Sequence, residues 1–102
     1  MTEADLMRSI MIALSNEGHF VVRANVGLFF TKDGRPIRSG LPVGFPDLFG
    51  HRSFDARAYY MEVKTATGRV TASQEQFLLA MRQRGAIAGV VRSIDDAIKL
   101  LR

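Results

Sequence analysis

The 102-residue chain has no cysteine. A disulfide framework, a thiol nucleophile and cysteine-ligated zinc are therefore excluded. Histidine is almost as scarce. His19 and His51 stand far apart and form no HExxH pair, which removes a zincin-type centre. No apolar run approaches the ~18 residues that a membrane span requires. The first five residues, Met1-Thr2-Glu3-Ala4-Asp5, carry two acids and no base, the opposite of a secretory n-region. Walker-type, GxGxxG and GxSxG loops are also missing. The expectation is a soluble, cytoplasmic protein with no membrane partner and no small-molecule cofactor.

Lysine and glutamate are sparse too. The 14 basic residues are 11 Arg and 3 Lys, the 10 acidic ones 6 Asp and 4 Glu, and the formal net charge is +4. Arginine forks onto phosphate bidentately, so an arginine-weighted surface makes nucleic acid a reasonable partner, although +4 alone says little. With 47% hydrophobic and 24% charged residues, the composition is that of a folded chain. Its length predicts one domain over residues 1–102.

Leu6, Met7, Ile10, Met11 and Leu14 recur at helical spacing and predict a helix over 3–17. Thr2 is its expected N-cap, Asp5 stands in the capping-box position and Gly18 is the stop. Phe20–Ala24 and Leu28–Phe30 read as strands, the second running into the turn Lys32-Asp33-Gly34-Arg35. Pro36, Gly40, Pro42, Gly44 and Pro46 punctuate residues 36–46, which read as irregular backbone. Asp47–Gly50 and Ala58–Lys64 are strand-like, with a polar connection between them. Ser73 is the expected N-cap of the next helix, with Gln76 closing a capping box and Gly85 ending it. Ala86–Val91 reads as a buried strand, and Ser93 with Asp96 caps a last helix. The predicted order α-β-β-β-β-α-β-α describes an α/β domain with a mixed sheet and helices packed on it.

Chemistry concentrates in Pro46-Asp47, followed after fourteen residues by Glu62-Val63-Lys64. Residues two apart on a strand share a face, so Glu62 and Lys64 project together while Met61 and Val63 turn to the core. If the Asp47 strand lies alongside, two carboxylates and an ammonium converge. Two carboxylates suit a hard cation such as Mg2+, which keeps several waters. Such a set suits phosphodiester hydrolysis, because the cation activates water and offsets charge on the phosphoryl oxygens. Arg23, Lys32, Arg35, Arg38 and Arg69 are the nearby candidates for holding phosphates.

Pro46-Asp47…Glu62-Val63-Lys64 resembles the PD-(D/E)xK nuclease signature. Gly44-Phe45-Pro46-Asp47-Leu48, Glu62-Val63-Lys64-Thr65, Ser73 with Gln76, Gly85-Ala86 and Val91-Arg92-Ser93, in that order, resemble the virus-type replication-repair nuclease (VRR-NUC) domain over nearly the whole chain. The resemblance implies a restriction-endonuclease-like core. It also implies Glu3, Asp47, Glu62 and the Val63 carbonyl as ligands of Mg2+ or Mn2+, Lys64 as the catalytic lysine and Gln76 as a site residue. Asn25 is implied as DNA-facing, whereas Ala24 departs from the polar pair common after the Arg at position 23. A standalone member implies a homodimeric Holliday-junction resolvase acting on branched DNA in repair or recombination, in a bacterium or a bacteriophage-infected cell. The alternatives are a flap or single-strand nuclease, and a non-catalytic nucleic-acid-binding module on the same fold.

Plainer readings stand beside these. Glu62 and Lys64 also fit a solvated pair, Asp47 a turn residue, Glu3 a helix-dipole acid and Gln76 a capping residue. The basic run fits a solvated face. Tyr60 reads as a packed strand residue, with stacking on a base or sugar as the alternative. Removing Glu3, Asp47, Glu62 and Lys64 leaves 13 basic against 7 acidic residues, a +6 shell around a pocket of −2. That distribution draws a divalent cation inward and phosphates to the rim.

Overall fold

A computed structural model describes residues 1–24 and 28–102. Its elements are α1 (Glu3–Asn16), β1 (Phe20–Arg23), β2 (Leu28–Phe30), β3 (Pro36–Arg38), β4 (Leu48–His51), β5 (Ala58–Val63), α2 (Ala72–Gln83), β6 (Ile87–Val91) and α3 (Ile94–Leu100). Four strands form one sheet in the order β1-β4-β5-β6. The first two pairings are antiparallel and β5–β6 is parallel, so the sheet is mixed as expected. The parallel pair needs a crossover, and α2 supplies it.

Strand parity divides the sheet into two faces. Leu48, Tyr59, Met61, Val63 and Val91 pack with Leu6, Met7, Ile10 and Leu14 of α1 and with Ala97 and Leu101 at α3. The other face carries Phe49, Tyr60 and Glu62. There Phe45, Tyr60 and Phe77 of α2 meet edge-on or tilted, with ring centroids 5.1 to 6.0 Å apart. Tyr60 is thus a packed aromatic. Asp47 and Glu62 lie beyond this aromatic cluster on the same face.

The caps of α1 and α3 follow the sequence. Thr2 and Asp5 form a reciprocal capping box, and Ser93 accepts from the Asp96 N–H. Two expectations change. The Pro/Gly-punctuated stretch contains a strand, because Pro36–Arg38 pairs antiparallel with Leu28–Phe30 around the predicted turn. Among the described residues five strands therefore precede α2. All six residues of this hairpin's strands are exposed, so no apolar/polar alternation marks β3. The second change is the cap of α2, which is Thr71 with Gln74 in place of Ser73 with Gln76.

Among the described residues no helix is long and apolar enough to cross a membrane.

Candidate active site

Asp47 immediately precedes β4. Leu48 lies opposite Met61 in the antiparallel register, which brings Asp47 level with Glu62. Two backbone contacts fix it: its carbonyl accepts the Ala24 N–H at 2.8 Å, and its Oδ2 accepts the Val63 N–H at 2.8 Å. Glu62 is only 2% exposed. Its Oε1 accepts from Gln74 Nε2 at 3.1 Å and lies 3.8 Å from Lys64 Nζ. Its Oε2 is buried and has no hydrogen-bond partner among the described residues. Lys64 continues the strand, its N–H donating to the Val91 carbonyl at 3.0 Å.

Burying a carboxylate against another acid is costly. Burial first, and then Asp47, push the Glu62 carboxyl up to about 8, with a smaller push from Glu3. Asp47 acts twice, accepting from the protonated form and repelling the ionised one. Lys64 opposes the rise. Glu3, half-buried in the first turn of α1, is therefore close enough to be felt at Glu62.

Among the described residues no group of three or more His, Asp or Glu side chains is placed to hold a metal ion. Asp47 and Glu62 nevertheless fit a hard cation. Both are oxygen donors, one oxygen of Glu62 is buried and unsatisfied, and Mg2+ commonly takes one or two carboxylates and keeps its waters.

Gln74, two residues before Gln76, is the glutamine that reaches the site. Its Oε1 accepts the Thr71 N–H at 2.9 Å, its own N–H donates to Thr71 Oγ1 at 3.2 Å, and its Nε2 reaches Glu62. One amide thus caps the helix and orients the carboxylate. Gln76 is exposed, and no contact with Glu62 is observed for it. Gln74→Ala is expected to lower turnover at this site by about 10- to 100-fold through the freed Glu62, and to destabilise the fold by ~1 kcal/mol through the lost cap. Gln76→Ala should leave both within error. Parallel turnover rates and melting curves check this pair.

The site opens into a cleft of about 590 Å3 whose lining includes Arg23, Phe29, Val43, Phe45, Asp47 and Glu62. Gly44 is required in its wall: its φ is +85°, and a Cβ there would lie 2.4 Å from the Ser73 carbonyl oxygen. Arg23 borders the cleft directly. Lys32, Arg35 and Arg38 are exposed on the hairpin, and Arg35 Nε donates to Asp33 at 3.1 Å. Arg69 is exposed in the segment between β5 and α2. Asn25 lies outside the described residues. The histidines serve elsewhere: His19 Nδ1 accepts the Ser53 N–H at 2.9 Å, and His51 stacks on Phe20.

Asp47, Glu62 and Lys64 thus gather where antiparallel strands meet in a mixed α/β sheet. Comparison with known proteins gives the family of this fold. The VRR-NUC domain profile matches residues 11–95. One solved structure described as a VRR_NUC domain superposes with a TM-score of 0.67 at 22% identity, covering 96% of this chain and 91% of that one. Another, a VRR_NUC domain protein, gives 0.68 at 20% identity over 98% and 84% of the two chains. No curated protein matches. The chain belongs to the VRR-NUC family, and so to a family of nucleases.

Proposed function

We propose that the chain is a Mg2+- or Mn2+-dependent endonuclease that hydrolyses phosphodiester bonds in branched DNA, four-way junctions above all, and acts as a homodimer. The observation that carries this reading is that Asp47 and Glu62 line one cleft, with Lys64 Nζ 3.8 Å from Glu62 and a buried, unsatisfied oxygen on Glu62. Asp47 and Glu62 would hold the cation, joined by Glu3 and the Val63 carbonyl as further oxygen donors. Such a cation, when bound, lowers the pKa of water and offsets charge growing on the phosphoryl oxygens.

The chain's own groups do the rest. Lys64 Nζ, largely shielded from solvent, places a positive charge beside Glu62. Gln74 holds Glu62 in one orientation. Arg23 at the cleft would hold one flanking phosphate, and the exposed Lys32, Arg35 and Arg38 on the hairpin and Arg69 beyond β5 would hold others. The hairpin also exposes Leu28, Phe29, Phe30 and Ile37. An apolar arm of this kind suits a second copy of the chain, and a two-fold interface would supply the two sites that symmetric cutting of a four-way junction needs.

The test is a side-by-side assay of labelled flap, fork, four-way junction and linear duplex, with Mg2+ or Mn2+ and with chelator, alongside light scattering. The expected result is paired symmetric nicks, fastest on the junction and stopped by chelation, from a particle of twice the chain mass. Equal or faster cutting of flap or linear DNA, or a monomer, would overturn the resolvase reading. Salt-dependent DNA binding with no metal-dependent cutting would favour a binding module instead.

A further inference from the structure

The segment between β5 and α2 carries Lys64 at one end and the Thr71 cap at the other. Its first part is a turn closed by the Gly68 N–H donating to the Thr65 carbonyl at 3.1 Å. The turn folds over the lysine stem: a Cβ on Gly68 would lie 3.4 Å from both Cβ and Cδ of Lys64. One i to i+3 bond does not by itself hold such a turn against solvent.

A second tie comes from far along the chain. Arg92 follows β6, and its Nη1 donates to the Thr65 carbonyl at 2.7 Å and to the Gly68 carbonyl at 2.8 Å. These are charge-assisted bonds to both ends of one turn. Among the described residues Arg92 makes no salt bridge with a carboxylate. Its backbone is anchored as well, the N–H donating to Asp96 Oδ2 at 2.9 Å. The preceding residue, Val91, accepts the Lys64 N–H at 3.0 Å. Residues 91 and 92 thus grip Lys64 twice, at its backbone and through the turn that covers its side chain.

We propose that Arg92 is the positioning residue for Lys64: its guanidinium clamps the Thr65–Gly68 turn onto the lysine stem and holds Nζ beside Glu62. The consequence for turnover rests on the nuclease reading of Lys64; the clamp itself does not. Arg92 acts through the turn and touches no reacting atom.

The chain has only three lysines, Lys32, Lys64 and Lys99, so lysine labelled with 13C and 15N gives three side-chain signals. Lys64→Arg identifies the shielded one. In metal-free Arg92→Ala, the Lys64 signal should move toward those of exposed Lys32 and Lys99, and amides 65–70 should exchange about tenfold faster or more. With Mg2+, kcat on junction DNA should fall about 10- to 100-fold, with KM and the salt dependence of DNA binding unchanged. Arg92→Lys, which keeps a cationic donor on a shorter side chain, should recover part of kcat and part of the Lys64 shift. An unmoved Lys64 signal in Arg92→Ala would overturn the clamp. Weaker binding with a shallower salt dependence and an unchanged kcat would overturn it in favour of a phosphate contact. If the wild type cuts no DNA with either metal, the nuclease reading fails, while the lysine signal and the exchange rates still decide the clamp.

Discussion

Glu62→Gln should abolish DNA cutting, a fall of at least about 1000-fold, and should make the metal-free protein more stable. The two effects share one cause. Glu62 is buried beside Asp47 with one oxygen unsatisfied, and its carboxyl is pushed up to about 8 from an ordinary 4.5. A carboxyl raised in the folded state contributes no penalty below its unfolded pKa. Stability is then lost as pH rises from about 4.5 toward 8, and levels off above. Metal-free wild type should therefore melt at a lower temperature at pH 8.5 than at pH 5.5 as far as this residue is concerned. Glutamine stays neutral, still accepts from Gln74, and can donate to Asp47. Its advantage should grow across that interval to ~1 kcal/mol or more, or roughly 4 °C or more in Tm at this chain length. Melting curves in chelator across the pH range measure it. A variant that cuts at the wild-type rate, or melts below wild type at pH 8.5, would contradict the site.

Asp47→Ala should be equally inactive but should move stability the other way. Asp47 Oδ2 is the acceptor for the Val63 N–H, inside the strand that carries Glu62 and Lys64. Alanine leaves that donor without its partner, at a cost of ~1–3 kcal/mol. Relief of the repulsion on Glu62 offsets part of this. Asp47→Asn separates the two effects: its amide oxygen still accepts from Val63 while the charge is gone. It should be inactive yet at least as stable as wild type. The order of Tm at pH 8.5 without metal is then Asn above Ala at position 47, and Gln above Glu at position 62. This pattern would not arise if the acids were merely surface charges, because exposed substitutions rarely change stability by more than ~0.5 kcal/mol.

Much of this was legible from local pattern. The helical i, i+4 spacing of Leu6, Ile10 and Leu14 with Thr2 and Asp5 ahead of it yields α1 and its cap. Alternation in Tyr59–Lys64 places Glu62 and Lys64 together, because the strand period leaves no other choice. What was not legible depended on tertiary contact. Thr71-x-x-Gln74 and Ser73-x-x-Gln76 are two overlapping capping boxes two residues apart, and nothing local ranks them. The hydrogen bond from Gln74 to Glu62 belongs to the first alone. β3 was hidden because an exposed three-residue strand beginning with proline shows neither alternation nor strong propensity. Arg92 is one arginine among 11, and only the folding of β6 beside β5 brings it over the turn after Lys64.

The distribution of charge also takes on physical meaning. Two of only four glutamates lie at or near the acidic pocket, while the arginines of the hairpin and of position 69 stay in solvent. The fold holds one buried carboxylate at a cost, as expected of a residue kept for the proposed catalysis.

The most direct test of the central claim is the rate of Mg2+-dependent nicking of an end-labelled four-way junction by wild type and by Asp47→Asn, both shown to be folded by their melting curves. The account predicts nicks from the wild type and none above background from the variant. Nicking by Asp47→Asn at the wild-type rate would contradict it.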